Sequence, residues 1–191
     1  MAASLSSVAQ AGDPRSSSKS AAQYDAASTN SNIADSRDIM YFSRMGVERS
    51  SNADTKELAG EILTDFTEIL YSMEELSVAG AGNAANKPES LKGTFEDAAS
   101  LHDKLSSARG FNFDTLWTGS LLRMQQAKLA GLTEQKEYVT DSRLKTAITE
   151  AMSPIRRHIA KLNSLYKQLI RQDQQEKREA ARQLKLKSKS K

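Results

Sequence analysis

The chain contains no cysteine, which excludes disulfide bonds, thiolate catalysis and cysteine-ligated zinc sites. Aromatic residues make up only 6% of the 191 residues, so a thick globular core is hard to build. Every apolar run falls short of the ~18 consecutive residues that a membrane-spanning helix needs, and we expect no membrane partner. Elongated helices that complete their burial against another chain suit this supply of apolar side chains.

Catalytic motifs are also missing. The sequence has no Walker loop, no dinucleotide-binding glycine fingerprint, no zinc motif and no nucleophile elbow. Its two histidines, His102 and His158, fall on different predicted helices, where each is expected to be solvated or half-buried. We therefore predict a protein that is not an enzyme, with no catalytic residue, no cofactor, no metal site and no small-molecule substrate.

Charge is divided unevenly along the chain. Residues 143–191 carry 14 Lys or Arg and 4 Asp or Glu, whereas the rest carries 13 basic and 20 acidic residues. The net charge of +3 therefore combines a strongly basic end with an acidic body. Such a split indicates either an interaction tail or attraction between the two parts of the chain.

The first 46 residues divide into two predicted segments. Residues 1–32 include nine Ser and eight Ala, and this composition buries too little apolar surface to offset the entropy of ordering. We predict a disordered tail there. Residues 33–46 predict a short amphipathic helix that Ser36 can cap and Gly46 can end. Its apolar face consists of Ile39, Phe42 and Met45. It is either an arm that docks on the core or a partner-binding motif.

The clearest helix is predicted over residues 55–77. Asp54 and Glu57 form a capping-box pattern at its start. Its apolar positions recur at spacings of four, four, three, four and three, which makes one continuous stripe. The stripe consists of Leu58, Ile62, Phe66, Ile69, Met73 and Leu76. The opposite face is acidic, and a Gly/Ala/Asn-rich linker follows the helix.

Two shorter helices complete the predicted helical region, residues 54–131. The first covers about residues 90–109 and is stopped by Gly110. The second covers about residues 115–130 and has Asp114 as its cap and Gly131 as its stop. Trp117 lies among apolar residues on this second helix, so it is expected to anchor a core rather than to stack on a ligand.

A long helix is predicted over residues 133–185. From residue 148 to 169 its apolar positions alternate at four and three, which is a coiled-coil seam of about three heptads. The seam consists of Ile148, Met152, Ile155, Ile159, Leu162, Tyr166 and Leu169. Pro154 interrupts it without shifting its phase, so we expect a kinked helix or a restart at Ser153. The two stripes either pack on each other within the chain or bind partner chains.

The basic end begins where this seam stops. Beyond Ile170 the strong helix formers persist without apolar periodicity, and residues 186–191 form a basic tail. The cluster consists of Lys177, Arg178, Arg182, Lys185, Lys187, Lys189 and Lys191. It is a solvated face, a nuclear localisation signal or a phosphate-binding surface. Because it lacks aromatic residues, specific single-strand recognition and membrane-surface binding are both disfavoured.

These patterns predict an all-α fold: an elongated helical hairpin or bundle with a long C-terminal coiled-coil-like helix and a disordered N-terminal tail. The leading hypothesis is a non-catalytic scaffold subunit of a larger multiprotein assembly, which docks on other protein subunits through its amphipathic helices. The alternative is a basic nucleic-acid-binding accessory protein that uses residues 156–191. In layout the chain resembles helical subunits of large nuclear assemblies, such as transcription-coactivator and kinetochore complexes. That resemblance implies a nuclear location and a role in transcription or chromosomes, and a cytoplasmic location is the alternative.

Overall fold

The structure is a computed structural model that describes residues 14–80 and 98–189. These residues form five helices and no strand, which confirms the predicted all-α fold. The helices are α1 (Pro14–Arg49), α2 (Ala53–Gly80), α3 (Ala98–Ser107), α4 (Gly110–Tyr138) and α5 (Ser142–Lys189). Within the described ranges, no helix is both long enough and apolar enough to span a bilayer.

The four long helices form a bundle in which each helix packs against two others. α1 contacts α2 and α4, and α5 contacts the same two helices. Neighbouring helices are antiparallel: in α1 and α4, for example, Asn32 pairs with Gln135 and Phe42 pairs with Trp117. α2 therefore runs in the same direction as α4, and α2 ends at the opposite end of the bundle from where α4 begins. α3 packs against α4 near that beginning.

The bundle interior is filled by the apolar faces that the sequence predicted. Trp117 is fully buried, and its indole Nε1–H donates a hydrogen bond to the Phe42 carbonyl oxygen at 2.7 Å. Ile39, Phe42 and Phe66 are each almost fully buried. Burial of each such side chain stabilises the fold by about 1.5–3 kcal/mol relative to exposure. The short amphipathic segment at residues 33–46 is thus part of the core.

The predicted disordered tail extends too far: residues 20–32 belong to α1, and residues 1–13 lie outside the described residues. Ser28, Thr29 and Asn32 are buried, since small side chains allow a helix to pack closely. The Thr29 hydroxyl donates to the Asp25 carbonyl oxygen, so its burial leaves no unpaired donor. The prediction from composition did not allow for the close packing of Ser and Ala side chains within a helical bundle.

Asp25 in α1 also holds the turn between α4 and α5. Its Oδ1 accepts the backbone N–H of Thr140 at 3.0 Å, and its Oδ2 accepts the Thr140 hydroxyl at 2.7 Å. Oδ2 also accepts the backbone N–H of Asp141 at 2.9 Å. One carboxylate therefore serves three donors that a turn would otherwise leave to water. This is a second reason why the N-terminal segment is ordered.

The end of α1 and the start of α2 differ from the predicted boundaries. Ser36 does not begin a helix; it lies within α1, where its hydroxyl donates to the Asn32 carbonyl oxygen. Gly46 does not end α1, which continues to Arg49. The cap of α2 is Asn52 rather than Asp54, because Asn52 Oδ1 accepts the Thr55 backbone N–H at 2.9 Å. α2 then continues to Gly80, beyond the predicted end at residue 77.

The boundaries of the next three helices also shift. α3 covers Ala98–Ser107, and the earlier part of the predicted helix 90–109 lies outside the described residues. α4 begins at Gly110, whose φ of +52° is a backbone conformation that glycine adopts readily. Asp114 is therefore inside α4 and does not cap it; its carboxylate instead accepts the hydroxyls of Ser50 and Ser51.

The predicted stop at Gly131 and restart at Thr133 are wrong. α4 continues through both positions to Tyr138, and α5 begins at Ser142, where Asp141 Oδ1 accepts the Arg143 backbone N–H. α5 passes through Pro154 as one helix and remains helical to Lys189. The basic tail predicted for residues 186–191 is thus helical as far as Lys189, and residues 190–191 lie outside the described part.

Candidate functional site: two interhelical clusters and an exposed helical arm

The two apolar stripes predicted to bind partners lie within the core of this chain. Ten of their residues are buried: Leu58, Ile62, Phe66, Ile69, Met73, Ile148, Met152, Ile155, Leu162 and Leu169. The other three, Leu76, Ile159 and Tyr166, are partly buried. Of the two arrangements that the sequence left open, the chain adopts packing of α2 and α5 within one bundle. A partner would reach most of these side chains only by opening that bundle.

The exposed part of the predicted interaction surface is the end of α5. We call residues 171–189 the α5 arm. Its described side chains are exposed, apart from Asp173, which is intermediate. Of the predicted basic cluster, Lys177, Arg178, Arg182 and Lys185 are exposed, and the side chains of Lys187, Lys189 and Lys191 are outside the described part. Lys177 pairs with Asp173 at 2.7 Å, one turn earlier on the same helix.

A charged cluster joins α2 to α5 halfway along the bundle. Glu61 accepts from Arg157 at 3.2 Å and from Lys161 at 2.6 Å, and Asp65 accepts from Arg157 and from His158 Nε2. The hydrogen bond from Lys161 is the main cause that lowers the pKa of Glu61. The acidic face of α2 and the basic part of α5 thus neutralise each other here. Exposed pairs of this kind contribute only ~0–1 kcal/mol each, so the cluster fixes alignment more than it stabilises.

His158 departs from the expectation of a solvated or half-buried histidine, because it is fully buried. Its ring lies near Phe66, with 6.2 Å between the centroids, and its Nε2 is 2.9 Å from Asp65 Oδ2. Burial lowers the pKa of His158, and the nearby Asp65 carboxylate opposes that change. The imidazole is therefore held neutral at the ordinary pH of a cell.

The ligand atoms of Glu61, Asp65 and His158 all lie within 4.8 Å of one another, and this mixture of oxygen and nitrogen donors is of a kind that binds divalent metals. Both carboxylates, however, already accept hydrogen bonds from Arg157 or Lys161. A metal ion would have to displace these two cations. The geometry is better explained as an ion-pair clasp between two helices, and the contacts assign it no metal.

The neutral state of His158 predicts acid sensitivity. Below about pH 6.5, its ordinary value, the unfolded chain takes up a proton that the buried imidazole resists, so the free energy of unfolding falls as the pH falls. Chemical denaturation between pH 7.5 and 5 should show this slope, and His158→Gln should reduce it. The matched control is His102→Gln, since the His102 side chain is 44% exposed. An unchanged slope in His158→Gln would contradict the assignment.

A second charged cluster is buried between α1 and α4. The Lys128 ammonium donates to Asn32 Oδ1 at 2.7 Å and to Asp35 Oδ2 at 3.1 Å, and the Lys128 and Asp35 side chains are only 2% and 3% exposed. Burial lowers the pKa of Lys128, and the Asp35 carboxylate opposes this. Asn32 also donates to Gln135 at 2.9 Å. A buried, paired charge of this kind fixes which residues of two helices face each other.

This buried cluster was missed in the sequence, although a signal for it was present. Lys128 falls in the helical spacing of the apolar positions around it, four residues after Met124 and four before Leu132. Asp35 likewise falls four residues before Ile39 on the core face of α1. A lysine and an aspartate that each interrupt an apolar stripe predict a buried ion pair, provided that the two helices are known to be neighbours.

An open groove follows the outer face of α4. Its volume is ≈ 620 Å³, and its floor contains Leu129 and Ile159. Glu134, Glu137 and Tyr138 line one end, and Tyr138 is 62% exposed. The groove is shallow, and its lining residues include no histidine, serine or lysine. It therefore has the shape of a surface for a helix or an extended chain rather than of a reaction pocket.

Comparison with known proteins identifies a family. Residues 6–165 match the family model described as a domain of unknown function, DUF4142. No curated protein matches the sequence, and no solved structure matches the fold. The matched residues include α1 to α4 and α5 as far as Leu165, and they end before the α5 arm begins. Since the match covers most of the chain, the protein belongs to the DUF4142 family.

Proposed function

We propose that this chain is a non-catalytic docking protein, a subunit of a larger protein assembly in which the bundle is the support and the α5 arm is the contact. The observation that supports this most directly is the contrast along α5. Between residues 144 and 169 one face of α5 is buried in the bundle, whereas the described side chains of the arm are exposed, apart from Asp173, which is intermediate. α5 has 48 residues, whereas the other three long helices of the bundle have 36, 28 and 29, and α5 presents its excess length to solvent.

The chemistry of the two charged clusters favours support over catalysis. Each carboxylate in the α2–α5 cluster accepts from a cation, and the Lys128 ammonium is buried against Asn32 and Asp35. A reacting group has to reach both a partner group and a substrate, and these side chains are committed to one another across helices. The clusters specify how the helices align. A partner would therefore dock on the outer faces of the described helices.

Nucleic-acid binding is the second candidate function, and one feature of α5 favours it. Lys167, Arg171, Arg178, Arg182 and Lys185 are exposed and recur at spacings of four, seven, four and three, which places them along one face of the helix. A row of cations can follow a phosphate backbone without reading base sequence. Arg157 and Lys161, within the basic region 156–191, are instead engaged with Glu61.

One experiment separates these functions. The whole chain is used to capture proteins from an extract of the source cells, and these proteins are identified by mass spectrometry. Each captured protein is then purified, and its binding to the chain is measured again. Docking through the arm predicts that Arg178→Glu/Arg182→Glu/Leu186→Asp abolishes rebinding, because the variant reverses two charges of the arm and removes the exposed apolar side chain of Leu186. Glu68→Lys/Glu75→Lys is the control: it changes two exposed charges on α2 and should leave rebinding intact.

Binding to a duplex of arbitrary sequence is measured in parallel. If the chain binds nucleic acid, the logarithm of the association constant should fall linearly with the logarithm of the salt concentration. The slope should be about −3.6 if four cations contact phosphates. If the purified proteins rebind the arm variant as strongly as the wild-type chain, docking through the arm is rejected. A steep salt slope that the arm variant flattens would establish the second candidate in its place.

A further inference from the structure

The α5 arm continues α5 beyond its buried residues, the last of which is Leu169. Its 19 residues extend about 28 Å at the usual rise of an α-helix. A helix that is polar all round is stabilised by side-chain pairs along its surface or by packing against something else. The pair of Lys177 with Asp173 and that of Gln172 with Glu176 lie near the start of the arm, and each adds only ~0.2–0.5 kcal/mol. In the distal half, Arg178, Arg182 and Leu186 are exposed, so this part of the arm is accessible to a packing partner.

That distal half has one face with a mixed chemical character. Arg178, Arg182 and Leu186 recur every four residues, so their side chains follow one another along the helix. Leu186 is 69% exposed, so it adds an apolar side chain to this otherwise basic face. Residues 180–189 contain four basic residues and no acidic one. The face fits a partner that offers carboxylates beside an apolar floor.

The groove on α4 offers that combination. Its floor contains Leu129 and Ile159, and the exposed carboxylates of Glu134 and Glu137 lie beside it. Its α4 wall runs from Gln126 to Tyr138, which is about 18 Å of helix and enough for three turns of a second helix. The sign of its charge is opposite to that of the arm, and both surfaces expose apolar side chains.

The arm of a given chain cannot occupy the groove of the same chain. Ile159 in the groove and Arg182 in the arm belong to one continuous helix, and 23 residues of α-helix separate them by about 35 Å. Because α5 does not fold back, the groove and the arm can meet only between two molecules.

We propose that the α5 arm docks in the α4 groove of a second copy of this chain, and that two copies exchange arms to form a closed dimer. The inference rests on the proposed docking function and names its first partner. Exchange of two identical contacts about a two-fold axis leaves neither arm nor groove exposed, so assembly stops at two. The carboxylates of Glu134 and Glu137 face Arg178 and Arg182 of the other copy, and Leu186 covers the apolar floor.

The test uses charge reversal on full-length chains and measures mass in solution by light scattering and analytical ultracentrifugation. The wild-type chain is expected to be a dimer at about 100 μM. Glu134→Lys/Glu137→Lys places like charges in the groove, and Arg178→Glu/Arg182→Glu does the same on the arm, so each variant alone should be monomeric. The control, Glu68→Lys/Glu75→Lys, makes an equal change of charge on the exposed face of α2 and should remain dimeric.

Mixing the two monomeric variants in equal amounts is the decisive step. In a mixed dimer, the lysines of one groove meet the glutamates of one arm, and the other contact is wild-type, so the mixture should recover the dimer. This recovery also shows that both variants are folded. A wild-type monomer at about 100 μM, a dimer that survives either reversal, or a mixture that stays monomeric would each overturn arm exchange.

The outcome for arm exchange is separable from that for docking in general. If the wild-type chain is monomeric while the arm variant still loses its captured proteins, the arm docks on another protein and the second copy is rejected. If the chain forms the exchanged dimer but the captured proteins bind the arm variant as well as the wild-type chain, arm exchange is supported and docking of other proteins through the arm is rejected.

Discussion

Replacing Lys128 with Met is expected to lower the free energy of unfolding by about 3–5 kcal/mol. The substitution keeps most of the side-chain volume but removes the ammonium that lies 3.1 Å from Asp35 Oδ2. The Asp35 carboxylate, whose side chain is 3% exposed, would then be buried without its cation, and Asn32 Oδ1 would lose a donor. Urea denaturation followed by circular dichroism measures the loss.

A second substitution shows whether the loss arises from breaking the ion pair between Lys128 and Asp35. Lys128→Met combined with Asp35→Leu replaces the ion pair with apolar groups and should recover most of the stability, since such replacements are often neutral or favourable. The control is Lys167→Met, which removes an exposed lysine from α5 and should change the free energy of unfolding by less than ~0.5 kcal/mol. A double variant less stable than Lys128→Met alone would contradict this account.

Trp117→Ala should cost a similar amount, about 3–5 kcal/mol, for a different reason. The indole is fully buried between α1 and α4, so its removal leaves a cavity and takes away the hydrogen bond that Nε1–H donates to the Phe42 carbonyl oxygen. Trp117→Phe restores much of the volume without the Nε1–H donor, and the difference between the two variants separates packing from hydrogen bonding. Equal losses in both variants would mean that the hydrogen bond dominates.

Close packing against Trp117 also explains Gly46, the glycine near the end of α1. A Cβ at Gly46 would lie 2.6 Å from Trp117 Cε2 and 2.8 Å from Ala59 Cβ, closer than packed atoms allow. Gly46→Ala should therefore destabilise the bundle by about 1–3 kcal/mol, and less in a Trp117→Ala background. Gly131→Ala is the matched control, since a Cβ there meets nothing within 4 Å. It should stabilise α4 by up to ~1 kcal/mol, because alanine favours helix more than glycine.

Helix type and the apolar faces were predictable from this sequence, because both depend on spacing within one segment. The stripe from Leu58 to Leu76 and the seam from Ile148 to Leu169 are the core faces of α2 and α5. Helix ends were less predictable. Gly46 resembled a stop and is instead the point of closest approach to Trp117, a residue 71 positions later in the sequence. The sequence alone does not distinguish a glycine that ends a helix from one that allows close packing. The difference depends on which residues lie next to it in the folded chain.

The functional interpretation had the same limit. A continuous apolar stripe predicts that something covers it, but it does not say whether the cover is the same chain or another. Here α1 and α4 cover the remaining apolar surface of the two stripes. Much of α1 was expected to be disordered, because Ser and Ala offer little apolar surface. Once residues 14–32 are ordered, the bundle has four long helices and the two stripes need no second chain. The candidate surface therefore moves from the stripes to the arm and the groove.

The hydrogen bonds from the Thr140 and Asp141 turn to Asp25 have a consequence for the growing chain on the ribosome. Asp25 and Thr140 are 115 residues apart, which at roughly 5–20 residues per second is about 6–23 s of synthesis. During that time α1 and α2 can already form a hairpin, but the face that receives Trp117 has nothing to cover it. Phe42 and Phe66 are then open to other nascent chains. We therefore expect the apolar face of the α1–α2 hairpin to be uncovered between the emergence of α2 and that of α4.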